Sequence, residues 1–65
     1  MEQSKAAQEL ANAEDFAHRA KLMEAHGCSE ISCLYERASI ATALKAQILS
    51  ELERTIAQVA TSSDA

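Results

Sequence analysis

The near absence of residues that interrupt regular structure constrains this fold more than any other feature. The 65-residue chain contains no Pro and a single Gly, Gly27. More than half of its residues are Ala, Leu, Glu, Lys, Gln or Arg, which have high helix propensity. A helix commonly ends on a residue with a left-handed backbone, which Gly adopts without steric penalty. The sequence therefore predicts an all-α chain with two helices joined at Gly27.

The first predicted helix covers about residues 2–26. Small and apolar residues recur there every three or four positions, which places them on one helix face. We expect this face to pack within the hairpin, and its members are Ala6, Leu10, Ala13, Phe16, Ala17, Ala20 and Met23. Because most of them are Ala, the two helix backbones can approach closely.

The predicted turn covers residues 27–29, with Gly27 as the stop signal and Ser29 as the N-cap of the second helix. The second helix is predicted over about residues 30–61, followed by a polar tail at 62–65. A connection this short makes the helices antiparallel neighbours. From the second helix we expect packing against the first by Ile31, Leu34, Ala38 and Ala41.

Large apolar residues are shared unequally between the two segments, and most of them follow Gly27. An Ala-rich first helix cannot cover them all, and the second helix is also longer. We expect an exposed apolar patch, which usually marks an interaction site, formed by Tyr35, Ile48, Leu49, Leu52, Ile56 and Val59. Two hairpins joined through this patch would form a four-helix bundle, so a homodimer is expected.

Two residues, one within this patch and one beside it, each have two interpretations. Tyr35 is either a boundary residue of the hairpin core or an anchor at an interface, where Tyr is enriched. Lys45 falls on the heptad line of the second helix. It either extends its ammonium into water or sets register against an acidic partner.

Charge and hydropathy disfavour several classes of partner. The net charge is −4, with six basic residues among ten acidic ones. Nucleic-acid binding usually depends on clustered Lys and Arg, so it is disfavoured, as is an anionic membrane surface. No apolar run approaches the roughly 20 residues that span a bilayer. The first residues lack a signal-peptide pattern, so a cytoplasmic location is expected.

The residues that could carry chemistry are few. His18, His26, Cys28 and Cys33 could be read as a zinc site, but the spacing H-x-C-x4-C matches no common zinc pattern. A disulfide between the two cysteines is disfavoured in a cytosolic setting. Catalysis needs a concave pocket that excludes water, which a two-helix hairpin does not offer. We therefore expect no enzyme activity, metal or cofactor.

Several short patterns resemble known helical hairpins. Gly27, Tyr35 and the pair Ala43-Leu44 resemble the small co-chaperones of type III secretion needle subunits. That resemblance implies a cytoplasmic complex in which the hairpin keeps an aggregation-prone subunit soluble. In length and shape the chain is also similar to the plasmid copy-number regulator Rop, a hairpin that dimerises and binds paired RNA loops. Leu34-Tyr35-Glu36-Arg37-Ala38 resembles the second helix of tetratricopeptide and microtubule-interacting hairpins.

The favoured hypothesis is a protein-binding adaptor, co-chaperone or inhibitor that masks an apolar surface of its partner with the second helix. The alternative is a dimeric regulator of structured RNA, which would require Lys5, Arg19 and Lys21 to converge across a dimer axis. A purely structural dimerisation module is the third hypothesis, and it predicts no heterologous partner.

Overall fold

A computed structural model describes residues 4–62 as two antiparallel helices. Helix α1 is Lys5–Ala25 and helix α2 is Ser29–Ser62. The predicted all-α hairpin is confirmed. The helix ends differ slightly from the prediction. Helix α1 ends at Ala25 rather than at residue 26, and α2 begins at Ser29 and extends through Ser62 rather than covering residues 30–61. The tail predicted at 62–65 is wrong at Ser62, which is helical. The predicted start at residue 2 and residues 63–65 of the predicted tail lie outside the described residues.

The start of α1 is closed by two side chains. The Ser4 hydroxyl accepts the Ala7 N–H at 3.1 Å, so Ser4 is the N-cap. The Ala6 N–H donates across the hairpin to the Glu53 carboxylate at 3.1 Å. A carboxylate at a helix N-terminus is favourable because the helix dipole places partial positive charge there. Glu53 therefore stabilises α1 and fixes the level at which α1 begins along α2.

The turn is a Schellman motif at Gly27. The Cys28 N–H donates to the Met23 carbonyl at 2.8 Å, and the Gly27 N–H donates to the Glu24 carbonyl at 3.0 Å. Gly27 has φ of 80°, the left-handed conformation that this motif requires. The role predicted for Gly27 is therefore confirmed.

The N-cap predicted at Ser29 is wrong by one residue. The Ser32 N–H donates to the Cys28 carbonyl at 2.9 Å, so Cys28 occupies the cap position and Ser29 is already helical. The hydrogen bond from the Cys28 N–H to the Met23 carbonyl explains why the cap lies one residue earlier than predicted. It holds Cys28 against the end of α1, and α2 begins at the next residue.

Substituting Gly27 with Ala tests the turn. A Cβ at this position would meet nothing within 4 Å, so the cost comes from the left-handed backbone alone. We expect Gly27→Ala to lower the free energy of unfolding by about 1–2 kcal/mol, measured by urea denaturation. Gly27→Asn should cost less, because Asn tolerates this conformation better. An Ala variant as stable as the wild type would contradict the turn geometry.

The hairpin is a thin rod rather than a compact domain. Its extents are 59 × 22 × 8 Å and its radius of gyration is 16.3 Å, whereas a compact chain of this length has about 11 Å. Its accessible surface of 5315 Å² exceeds the roughly 4,000 Å² typical of a folded monomer of this mass. A single copy therefore buries much less surface than folding usually requires.

The contact between the helices is built from small residues spaced seven apart. On α1 these are Ala6, Ala13 and Ala20, and on α2 they are Ser32, Ser39 and Ala46. The Ser32 hydroxyl donates to the Ala20 carbonyl at 2.8 Å, and the Ser39 hydroxyl donates to the Ala13 carbonyl at 2.7 Å. We call these six residues the small-residue seam. Because a Ser side chain is short, these hydrogen bonds form only between closely spaced backbones.

The seam decides which side chains are buried. Among the described residues, the buried ones are Ala13, Ala20, Ser32 and Ala46, and no large side chain is fully buried. Ala6 and Ser39 of the seam are half-buried, as are the predicted packing residues beside it, Phe16, Ala17, Met23 and Ala38.

Four of the residues predicted to pack within the hairpin are exposed. Ile31, Leu34 and Ala41 lie on the outer side of α2, with Ile31 and Leu34 exposed by 47% and 62%. Leu10 is 51% exposed at the rim of a groove between the helices, beside Ala6, Ala43 and Ala46. The prediction is wrong for these residues because close backbone contact through small side chains turns the larger ones outward.

Candidate protein-interaction surface

The largest apolar feature outside the seam is one face of α2. Ile31, Leu34, Ala38, Ala41, Leu44, Ile48, Leu52, Ile56 and Val59 follow each other at steps of three or four residues. The steps average about 3.5 residues, the spacing of a coiled-coil seam. We call this set the α2 apolar stripe. Its seven large side chains are 47–63% exposed.

The stripe lies on a different side of α2 from the seam. At about 100° per residue, Ile48 and Leu52 point well away from Ser39 and Ala46, which face α1. Helix α2 therefore has two rows of residues suited to helix contacts. The seam residues contact α1, and the α2 apolar stripe faces solvent. Such a continuous apolar line on a small chain is a candidate docking surface.

The end of α2 has no helix beside it in the described part of the hairpin. Glu53 reaches back to the Ala6 N–H with its side chain, so Arg54–Ser62 lies wholly beyond α1 and covers about 13 Å of helix. Residues 51–61 are all exposed, and Ile56 and Val59 of the stripe lie on this overhang at 58% and 63% exposure. The difference in helix length predicted from the sequence is therefore present, and it leaves apolar side chains in water.

The six residues predicted to bind a partner fall into two groups. Ile48, Leu52, Ile56 and Val59 lie on the exposed stripe. Tyr35 and Leu49 are half-buried and turn toward the contact between the helices. The structure thus adds the exposed Ile31, Leu34 and Leu44 to the candidate surface, which is longer than the sequence predicted.

Tyr35 packs within the hairpin. Its ring lies 6.1 Å from that of Phe16, centroid to centroid, with 30° between the planes. A hydrogen bond to the Tyr35 side chain and the charge of Asp15 raise the pKa of Arg19 above its usual value. The Arg19 guanidinium also pairs with Asp15 at 2.9 Å. These contacts support the interpretation of Tyr35 as a boundary residue of the core.

Lys45 lies beside the α2 apolar stripe near its middle, next to Leu44. Its ammonium lies 3.6 Å from the Glu9 carboxylate of α1 and the side chain is 64% exposed. The charge is therefore compensated within the hairpin while the head stays in water, as a snorkelling residue does. Any partner on the stripe must accommodate this pair.

The basic and metal-binding candidates are dispersed. Lys5 and Arg19 lie 14 residues apart on α1, and Lys21 lies toward a different side of the helix. Among residues 4–62, no group of three or more His, Cys, Asp and Glu is placed to hold a metal ion. Cys28 and Cys33 are free, and the Cys28 thiol donates to the His26 carbonyl at 4.0 Å. No helix in the described range has the length and hydropathy to cross a membrane.

Sequence reasoning missed Ser32, Ser39 and Ala46, the α2 half of the seam. A signal for them was present, because they repeat every seven residues just as Ala6, Ala13 and Ala20 do. Matching the two repeats in antiparallel order would have placed Ser32 beside Ala20 and Ser39 beside Ala13, as the hydrogen bonds do.

Comparison with known proteins gives no relative: no family model, no curated protein and no solved structure matches this chain.

Proposed function

We propose that this chain is a non-catalytic protein-binding module that uses the α2 apolar stripe to mask an apolar helix or groove of a partner protein. Adaptor, co-chaperone and inhibitor are the roles that this mechanism serves, and the cytoplasm is the proposed location. The free thiols of Cys28 and Cys33 are compatible with that compartment.

One observation supports the proposal above the others. The hairpin uses Ala and Ser for its closest internal contact and leaves seven large aliphatic side chains in water along one helix face, at 47–63% exposure. Burying a Leu or Ile side chain contributes roughly 1.5–3 kcal/mol. A partner that supplies an apolar helix or groove would gain this free energy along the whole stripe, which is the helix-in-groove mode of recognition.

The experiment compares capture by two variants of matched charge. Leu52→Asp with Ile56→Asp places two carboxylates on the stripe. Gln47→Asp with Thr61→Asp adds the same charge at exposed positions more than 100° around α2 from Leu52 and Ile56. The tagged chains are used to capture proteins from an extract of the source cells, with quantification by mass spectrometry.

We expect the protein captured by the wild type to be retained by the control variant and reduced at least tenfold by the stripe variant, because an unpaired charge at an apolar contact is costly. Equal capture by both variants would contradict the proposal. A wild-type chain that captures no protein would also contradict it and would favour a purely structural dimerisation module.

A further inference from the structure

We propose that the first occupant of the α2 apolar stripe is a second copy of this chain, docked antiparallel so that Arg37 of each copy pairs with Glu51 of the other. This inference rests on the proposed function, because it takes the same stripe as the docking surface. It adds the orientation and the register of the pairing.

The size of the side chains favours antiparallel docking. In heptad terms Ile31, Ala38, Lys45, Leu52 and Val59 occupy one line of core positions, and Leu34, Ala41, Ile48 and Thr55 occupy the other. The stripe residues Leu44 and Ile56 then flank this core. The first half of the stripe thus contains its two Ala, and the second half contains bulkier residues. A parallel pair would stack Ala on Ala twice and leave voids, whereas facing small against large fills the space.

The charges favour the same orientation. A parallel pair with equal register sets Lys45 against Lys45 of the second copy, which is unfavourable. In an antiparallel pair the two core lines face each other, so Lys45 can lie over Ala41 of the second copy. There its long apolar stem covers the small side chain while its ammonium remains near Glu9.

One antiparallel register sets small residues against large ones along most of the stripe and also sets Lys45 over Ala41 of the second copy. In it Leu34 faces Leu52 of the second copy, Ala38 faces Ile48, and Ile31 faces Thr55. The Thr55 hydroxyl already donates to the Glu51 carbonyl at 2.9 Å, so that position needs no further polar partner.

Charged residues beside the stripe favour this register over registers shifted by one or two heptads. Arg37 and Glu51 lie beside the stripe and are separated by two heptads. Neither side chain makes an ion pair within residues 4–62. In the chosen register they meet twice, once on each side of the dimer axis, and Leu44 meets Leu44 between them. Moving the register by one heptad toward the C-termini places Glu51 beside Leu44, and moving it by two places Glu51 against itself.

The same register gives the α2 overhang a neighbour. Residues 54–57 of one copy lie alongside residues 29–32 at the start of α2 of the other copy, and residues 58–62 reach past its turn. Ile56 then has a helix beside it, and Val59 lies level with the turn of the other copy. The four helices form an elongated bundle in which the two α2 helices make the central contact.

A distance measurement tests the register directly. Cys33 is exposed and free, so in a Cys28→Ser background it accepts a single spin label. The proposed pairing separates the two Cys33 positions by 20 residues along α2, or about 30 Å. We expect pulsed electron-spin measurements on the full chain to give about 30–35 Å. The adjacent registers differ by about 10 Å for each heptad, and a parallel dimer gives less than about 20 Å.

Charge reversal provides a second measurement. Arg37→Glu or Glu51→Arg alone should weaken self-association by about fivefold in sedimentation at low salt, because each creates two like-charge contacts. The combined variant should return to within about twofold of the wild type. Glu36→Arg, on the side of α2 away from the stripe, serves as the control and should have little effect.

The outcomes separate this inference from the proposed function. A dimer with another label distance, or single reversals that the combined variant does not rescue, overturns the register. A chain that stays monomeric at 100-micromolar concentration overturns the inference and assigns the stripe to a heterologous partner. A dimer with the expected distance whose stripe variant still captures the same protein supports the inference and overturns the proposed function.

Discussion

Replacing Ala20 with Leu is expected to lower the free energy of unfolding by about 3 kcal/mol, most of the stability that a chain of this size possesses. Ala20 is only 3% exposed, and its carbonyl accepts the buried Ser32 hydroxyl at 2.8 Å. A Leu side chain would push α1 and α2 apart. Overpacking costs about 1–3 kcal/mol, and a buried hydroxyl without its acceptor costs a similar amount.

Ala11→Leu is the matched control for this substitution. Ala11 is exposed, lies nine residues before Ala20 and points to the opposite side of α1. Leu is a good helix former, so this variant should change the free energy of unfolding by less than about 0.5 kcal/mol. Both values come from urea denaturation at one protein concentration. Equal stability of the two variants would show that the helices do not meet through the small-residue seam.

The stability of the wild-type chain is expected to depend strongly on its concentration. If two copies bury the stripe together, folding is coupled to association, and each tenfold dilution removes about 1.4 kcal/mol per mole of dimer. A hundredfold dilution thus removes nearly 3 kcal/mol. For a hairpin whose buried residues are small, this should lower the melting temperature by more than 10 °C, measured by circular dichroism.

The double variant Leu52→Asp with Ile56→Asp provides the comparison. It should sediment as a monomer, melt at a lower temperature and show no dependence on concentration. The Gln47→Asp with Thr61→Asp variant should keep the concentration dependence of the wild type. A wild-type chain with a constant melting temperature between 1 and 100 micromolar and the sedimentation of a monomer would contradict the coupling.

The two experiments test the two contacts on which the stability of the hairpin is expected to depend. Ala20→Leu disturbs the contact that the hairpin makes internally, and dilution removes the contact that we propose it makes externally. Because the internal contact contains little large apolar surface, the hairpin would gain more stability from the proposed external contact than most domains do. A partner protein that competes for the stripe would therefore also control whether the chain is folded.

The sequence by itself determined the helices, the turn and the unequal distribution of large apolar residues. Gly27 terminates α1 because the backbone there is left-handed, a conformation that few other residues adopt without strain. The remaining composition favours helix on either side. These are local properties of the chain, so they can be read from one residue and its neighbours.

Only the tertiary structure decided which face of α2 meets α1. Sequence periodicity showed a wide apolar face, from which Ile31 and Leu34 were expected to pack inward, yet both are exposed. Ser32, Ser39 and Ala46 took that place, because two backbones in close contact exclude large side chains and let Ser hydroxyls reach carbonyls of the facing helix. Helical spacing identifies which residues share a face, but the choice between two faces depends on complementarity with the other helix.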